Sequence, residues 1–250
     1  MEFKDHFSGH AQDYARYRPD YPAALYHFLA NTAKRRELAW DCGTGSGQAA
    51  LGLAAHFDRV IATDPSAEQI QNAARHEKIN YLVAAAEQTE IPSQSVDLIT
   101  AAQAAHWFDM PRFSQEARRV LKPDGLLALW CYGLTRINPV IDRIVAHYYK
   151  NVVGPYWPPE RRYIDEKYQT LAFPFTELST PSIHMQAEWD LSEFTGYLAT
   201  WSAAQRFQKE HRRNPLDSVR GFLATGWGAP QARRTVRWLL HLRIGRVAPG

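Results

Sequence analysis

Ala39-Trp40-Asp41-Cys42-Gly43-Thr44-Gly45-Ser46-Gly47 is the stretch from which the remainder of the chain takes its meaning. Leu38–Cys42 has the length and apolar character of a buried strand, and it runs straight into three alternating glycines. Beyond them Ala49, Leu51, Leu53 and Ala54 predict a helix. Glycines between a strand and a helix let the backbone turn tightly and let a ligand touch the main chain. In open parallel sheets ligands bind at the carboxyl ends of the strands, which is where this loop falls.

Working outward, short apolar runs keep alternating with amphipathic segments. Pro22 opens a helix with Leu25, Phe28 and Leu29 on one face. Arg59–Thr63 reads as a second strand, and Ser66 starts a helix with Gln69 as its capping-box partner. Tyr81–Ala84 and Val96–Ala101 read as further strands. Pro111 opens a helix ending near Leu121, Lys122-Pro123-Asp124-Gly125 reads as a turn, and Leu126–Cys131 as a buried strand. Such alternation implies a parallel sheet with right-handed crossovers. After residue 131 the pattern changes. A helix through Val140, Ile141, Ile144, Val145 and Tyr148 leads to the aromatic loop Gly154-Pro155-Tyr156-Trp157-Pro158-Pro159. Ile183–Trp189 alternates like a strand, Leu191–Ala204 and Leu216–Thr225 read as helices, and Thr235–Ile244 reads as a late strand. The expected organisation is a helical cover over 1–35, a ligand-binding core over 36–131, a cap insertion over 132–234, and the last strand and tail over 235–250.

Length and charge bound what such a chain does. Its 250 residues carry 29 Lys and Arg against 26 Asp and Glu, with 45% hydrophobic residues, the composition of one globular domain with an insertion. Cys42 and Cys131 are too few for a disulfide-stapled fold or a zinc cluster. With no signal pattern and no long apolar run, the chain reads as cytoplasmic, with no membrane partner. Residues 201–250 hold ten Lys and Arg against Glu210 and Asp217 alone, so the basic excess of the molecule is concentrated there. A basic end suits an anionic partner.

Two cofactor classes compete for the glycine loop. Gly45-Ser-Gly47-Gln-Ala-Ala50 matches a dinucleotide pattern, and Asp64 follows 19 residues after Gly45. Asp41 argues the other way. A carboxylate before the first glycine would repel a pyrophosphate and suit the sulfonium and ammonium of S-adenosyl-L-methionine. Asp64, at the end of the next strand, suits the ribose hydroxyls of either ligand.

Asp41-x-Gly43-x-Gly45-x-Gly47 with Asp64 resembles the signature of the class I S-adenosylmethionine-dependent methyltransferases, in particular the methyltransferase type 11 domain. Val96-Asp97-Leu98-Ile99-Thr100 and Leu121-Lys122-Pro123-Asp124-Gly125-Leu126 resemble that family's fourth strand and the approach to its fifth. Tyr14-Ala-Arg-Tyr-Arg18-Pro19-Asp-Tyr21-Pro22, Gln103-Ala-Ala-His106-Trp107-Phe108, Thr200-Trp201-Ser202-Ala203 and Trp227-Gly228 are similar to the branch around trans-aconitate methyltransferase. The resemblance implies an α/β, Rossmann-like, seven-stranded, mostly parallel sheet with helices on both faces and a helical and loop cap after the fifth strand. It also implies further cofactor contacts: Ala86 and Glu87 reading adenine, Gln103 facing the cofactor, and Tyr14 and Arg18 closing over the methionine end, with Arg18 on its carboxylate. Ala85 stands where many relatives have Asp.

His106 is the candidate catalytic residue, able to donate to an acceptor carboxylate or to remove a proton. Trp107 and Trp201 are candidates for the acceptor pocket, and Trp157 and Trp227 could add aromatic faces. Arg161, Arg162, Arg206, Arg212 or Arg213 would meet an anionic acceptor if the cap folds over the site. The position after the fourth strand lacks the acid-or-Asn, Pro-Pro-aromatic loop of exocyclic-amine enzymes, neither cysteine suits a nucleophile, and no metal cluster is evident. The expected function is methylation of a small, anionic molecule, foremost O-methylation of a carboxylic acid. An RNA or protein methyltransferase and a non-catalytic S-adenosylmethionine-binding protein are the alternatives. No recognisable RNA-binding module supports the first of these.

Overall fold

The structure, a computed structural model, describes Tyr17 and residues 19–247. Eight strands form one sheet among them: β1 (Leu38–Cys42), β2 (Arg59–Asp64), β3 (Ile79–Val83), β4 (Val96–Ala102), β5 (Leu121–Tyr132), β6 (Thr176–Glu177), β7 (Ile183–Trp189) and β8 (Arg234–Arg246). The order is β3-β2-β1-β4-β5-β8-β6, and β7 also pairs with β8. β6 takes the Gly245–Arg246 end of β8 and β7 the Arg234–Leu240 end, so eight strands fill seven positions. β1 to β5 are parallel, whereas β8 runs antiparallel to β5, β6 and β7. This is the expected Rossmann-like, mostly parallel sheet.

The helices are α1 (Ala23–Thr32), α2 (Gln48–Ala54), α3 (Ala67–Asn72), α4 (Met110–Val120), α5 (Pro139–His147), α6 (Arg161–Asp165), α7 (Leu191–Ala199), α8 (Ser202–His211) and α9 (Arg220–Trp227). Strand residues alternate between two cores. Leu98, Leu126, Ala128 and Trp130 face one with α1, α2 and the cap; Trp40, Ile99, Leu127 and Leu129 face the other with α4. Both faces of the central strands are covered, which is why those strands read as continuous apolar runs. Among the described residues no helix is long and apolar enough to cross a membrane.

Several elements differ from expectation, each for a local reason. The segment 132–234 is divided, because β6 and β7 join the sheet while the rest packs as helices. Lys122–Gly125 is an irregularity inside β5, with Asp124 left-handed at φ +67° and the β4 register shifting beside it. The helix expected over Leu191–Ala204 breaks into α7 and α8 at Thr200-Trp201. There Trp201 turns extended onto Tyr148, Tyr149 and Trp157, and the Gln205 side chain donates to the Ala199 carbonyl at the end of α7. Ser66 caps α3 by accepting from the Gln69 amide (3.3 Å), but the capping box is left half-made. The Ser66 amide donates instead to Asp64 Oδ1 (2.9 Å).

Candidate active site

The carboxyl ends of β1, β2, β3 and β4 surround one cavity of about 710 Å³. It lies where strand order reverses between β1 and β4, the position such sheets use for ligands. The first wall is the glycine loop. Gly43, Gly45 and Gly47 all have positive φ (+66°, +55° and +85°). Gly43 is needed because a Cβ would sit 2.6 Å from that of Ala104. At Gly45 the same direction is open, with only the Gln69 side chain 3.9 Å away, so the main chain is exposed to a ligand there. Gly47 lies behind the wall rather than on it. A side chain there would strike the Tyr81 ring, so Gly47 allows packing rather than ligand approach.

Asp64, at the end of β2, is 9% exposed and lines the cavity. Its Oδ2 accepts from the Gly45 amide and its Oδ1 from the Ser66 amide, each at 2.9 Å. The carboxylate thus organises the loop from the cavity wall. It also takes the loop amide that a phosphate would need. Asp41, expected beside the donor, is instead fully buried beneath the loop and absent from the cavity wall. Thr44 and Thr100 donate to it at 2.5 and 2.7 Å. Burial pushes its carboxyl up to about 6, against those hydrogen bonds and an Ala50 amide that pull it down. Asp41 therefore shapes the loop from below and acts on a ligand only through its field.

Just past the end of β3, Ala85, Ala86, Glu87 and Gln88 line the cavity. Glu87 Oε1 accepts from the Asp109 amide at 2.8 Å, which anchors it to the start of α4. Gln103 lines the cavity with left-handed backbone at φ +54°, but its amide is engaged. It donates to the Tyr132 carbonyl (3.2 Å) and accepts from the Tyr132 amide (3.3 Å), clamping the ends of β4 and β5 together. Tyr14 and Arg18 lie outside the described residues.

Beyond Gln103 the cavity continues into an annex of about 60 Å³, lined by His106, Trp107, Trp157, Arg161, Tyr197 and Trp201 among others. His106 is on a short 3-10 turn, Ala105–Trp107, and is 7% exposed. Its Nδ1 lies 2.9 Å from the Tyr168 hydroxyl. Burial first, and then the Arg161 guanidinium, bring the imidazole down to about 3, so it is neutral at physiological pH. Arg161 lies over the Trp157 ring (4.5 Å) and the Tyr149 ring (5.2 Å), and its Nε donates to the Tyr149 hydroxyl at 2.9 Å. Its two terminal nitrogens have no protein partner among the described residues and open on the annex. Of the other candidate arginines, Arg162 reaches the main cavity, Arg206 donates to the Tyr156 carbonyl, and Arg212 and Arg213 are exposed elsewhere. Trp227 is not in the pocket. It stacks on Phe194 in the core and donates to the Ala232 carbonyl.

Sequence reading missed Tyr168 altogether. It is 62 residues from His106 in a loop without a motif, and no local signal marks it. Tyr21 and Phe108, which also line the main cavity, were legible only as part of quoted motifs. Among the described residues no group of three or more His, Cys, Asp or Glu is placed to hold a metal ion.

Comparisons with known proteins agree with this geometry. A family model described as a methyltransferase domain matches residues 40–129, from β1 to β5. A protein of Dictyostelium discoideum bearing a methyltransferase name is 38% identical over 223 residues, covering 88% of this chain and 85% of that one. An uncharacterized methyltransferase of Mycobacterium tuberculosis is 32% identical, with 85% and 83% covered. Among solved structures, one from Anaeromyxobacter dehalogenans described as a type II methyltransferase superposes with a TM-score of 0.88 at 44% identity. That match covers 93% of this chain and 99% of the other.

Proposed function

This chain belongs to the class I S-adenosylmethionine-dependent methyltransferases, and from that footing we propose that it methylates a carboxylate oxygen of a small organic acid. S-adenosyl-L-methionine is the cofactor, and when bound it supplies an already activated methyl group. The residues present fit it. Gly45 leaves its main chain open, Asp64 lines the cavity at the end of β2, and Ala86 and Glu87 stand one strand further along.

One observation carries the acceptor reading: Arg161 and His106 share an aromatic-walled annex at the inner end of the cavity. A guanidinium with free terminal N–H groups is suited to a carboxylate. The aromatic walls of Trp107, Trp157 and Trp201 suit the acid's carbon skeleton. A carboxylate is ionised at neutral pH. Its oxygen would accept the methyl group that the bound cofactor would supply without first losing a proton, so the chain has no proton to move. The work left to the chain is alignment. His106, brought down to about 3, would be a feeble base toward a hydroxyl or an ammonium. The acid reading also accords with the resemblance of the Gln103–Phe108 stretch to the trans-aconitate branch.

Incubation with labelled methyl donor and a panel of small organic acids tests this. The expected product is a methyl ester whose label is released by alkali. Alkali-stable label, on amines or hydroxyl compounds only, overturns the carboxylate reading.

A further inference from the structure

We propose that Tyr168 holds His106 as the neutral tautomer with its proton on Nε2, which makes His106 a hydrogen-bond donor to the acceptor and restricts the pocket to acceptors that arrive ionised. The acceptor half of this statement rests on the carboxylate reading above. The tautomer half stands on the protein alone.

The phenol of Tyr168 is fully buried and has one proton to give. The backbone N–H groups of His106 and Ala105 approach its oxygen, so that side of the hydroxyl is an acceptor. The hydrogen-bonding atom left for its proton, among the described residues, is His106 Nδ1 at 2.9 Å. With the imidazole proton on Nδ1 instead, two donors would face each other and the phenol proton would be buried without an acceptor, an arrangement proteins avoid. The phenol does not escape by ionising, because burial raises its pKa well above the ordinary value. The imidazole proton therefore belongs on Nε2. That nitrogen has no protein partner among the described residues and opens on the cavity.

Tyr168 is held where it is needed at some conformational cost. Lys167 and Tyr168 are consecutive non-glycine residues in the left-handed region, at φ +58° and +60°. The Tyr168 amide donates to the Tyr163 carbonyl at 2.7 Å. Its own carbonyl accepts from Arg243 Nη1 at 2.8 Å, and Arg243 is ion-paired to Glu177. The ring is thus fixed from both sides of its backbone.

The surroundings of the imidazole keep it neutral. Arg161 of α6 faces it, with Asp165 behind Arg161, and Tyr168 closes the other side with Cys131 of β5 beyond it. Among the described residues no carboxylate reaches the ring to favour a charged form. An acceptor carboxylate would take one hydrogen bond from His106 Nε2 and meet Arg161 with its charge. A hydroxyl or ammonium acceptor would find, among the described residues lining the annex, no group suited to receive its proton. Tyr168 acts through His106 and is a positioning residue.

The direct test is ¹⁵N NMR of the His106 ring in the full chain with S-adenosylhomocysteine bound, assigned by difference from His106→Gln. The expected result is a protonated Nε2 and a hydrogen-bond-accepting Nδ1, unchanged between about pH 5.5 and 8.5. A proton on Nδ1, or titration inside that range, overturns the proposal. Tyr168→Phe should release the constraint and shift the ring signals toward a tautomer mixture; an unchanged spectrum would deny Tyr168 its role.

Kinetics give a second reading. Glutamine can present an amide N–H near the Nε2 position, so His106→Gln should stay within about tenfold of wild type in kcat/KM, while His106→Ala should lose roughly a hundredfold. Equal losses in both variants, or a wild-type pH profile with a basic limb near neutrality, would mean a base and overturn the donor role. Failure of every organic acid as substrate, with the NMR result intact, would strike the acceptor reading and leave the tautomer assignment standing.

Discussion

Asp41 has no accessible surface, yet two threonine hydroxyls and a backbone amide turn toward its carboxylate. The hydrogen bonds favour the charged form and burial opposes it. Burial prevails, and the group titrates at about 6 instead of 3.8. Because the folded value is the higher one, the folded state holds an extra proton between the two. Stability from this source is fully present below about 3.8 and is lost as pH rises through 6. A shift of two units corresponds to about 3 kcal/mol. Asp41→Asn removes the titration while keeping a side-chain oxygen for one threonine and an amide for the other. In urea unfolding series at successive pH values, the stability of Asp41→Asn relative to wild type should therefore climb between pH 4 and 7, by up to about 3 kcal/mol. A difference that stays flat across that range would show that Asp41 titrates normally. At neutral pH the wild-type charge sits just below a loop whose amide Asp64 already holds, and such a field favours a cationic ligand over a phosphate.

At the scale of elements, the loop between α6 and β6 depends on β8. Arg243, 8% exposed, donates from Nη1 to the carbonyls of Tyr168 and Leu171 at 2.8 Å each and pairs with Glu177. Arg243→Met should cost about 3–5 kcal/mol in urea unfolding, because two carbonyls and a carboxylate lose their donor. At a temperature where the variant is still folded, acceptor turnover should fall with the loosened Tyr168. Calorimetric affinity for S-adenosylhomocysteine should stay within about threefold, since Arg243 does not line the cofactor cavity. A parallel loss of cofactor affinity would show that the loop supports both halves of the site. This dependence also marks the limit of sequence reading. β1, β2, β4 and β5 were legible because each is an apolar run stopped by glycine or polar residues, and β7 because its faces alternate. The break at Trp201 was not, since Leu191–Ala204 carries an unbroken helical pattern and the interruption comes from aromatic partners far along the chain. Tyr168 was illegible for the same reason, its meaning arising only when Ala105–Trp107 and β8 are brought against it. Asp41 was legible as a residue type at a strand end, but not as a buried one.

For the molecule as a whole, the main cavity is bounded by two bodies of structure. The strand ends supply Gly43–Ser46, Asp64, Ala85–Gln88 and Gln103; the cap supplies Pro159, Glu160, Arg162 and Tyr163. A ligand spanning that space touches both, so its binding free energy is added to the stability of the folded chain. At a concentration of S-adenosylhomocysteine about 100 times its Kd, the gain is about 2.7 kcal/mol. For a chain of this length each kcal/mol raises Tm by about 2–4 °C, so the expected shift is roughly 5–10 °C. NAD at the same concentration should move Tm by less than about 1 °C. Its pyrophosphate would need the Gly45 amide, which Asp64 holds, and would lie above the buried charge of Asp41. The glycine spacing by itself admits either ligand, so the two melting curves separate what the spacing leaves joined. Equal shifts with both compounds would mean that Asp64 yields its hydrogen bond to a phosphate. The polarity argued for the loop would then be wrong at its root.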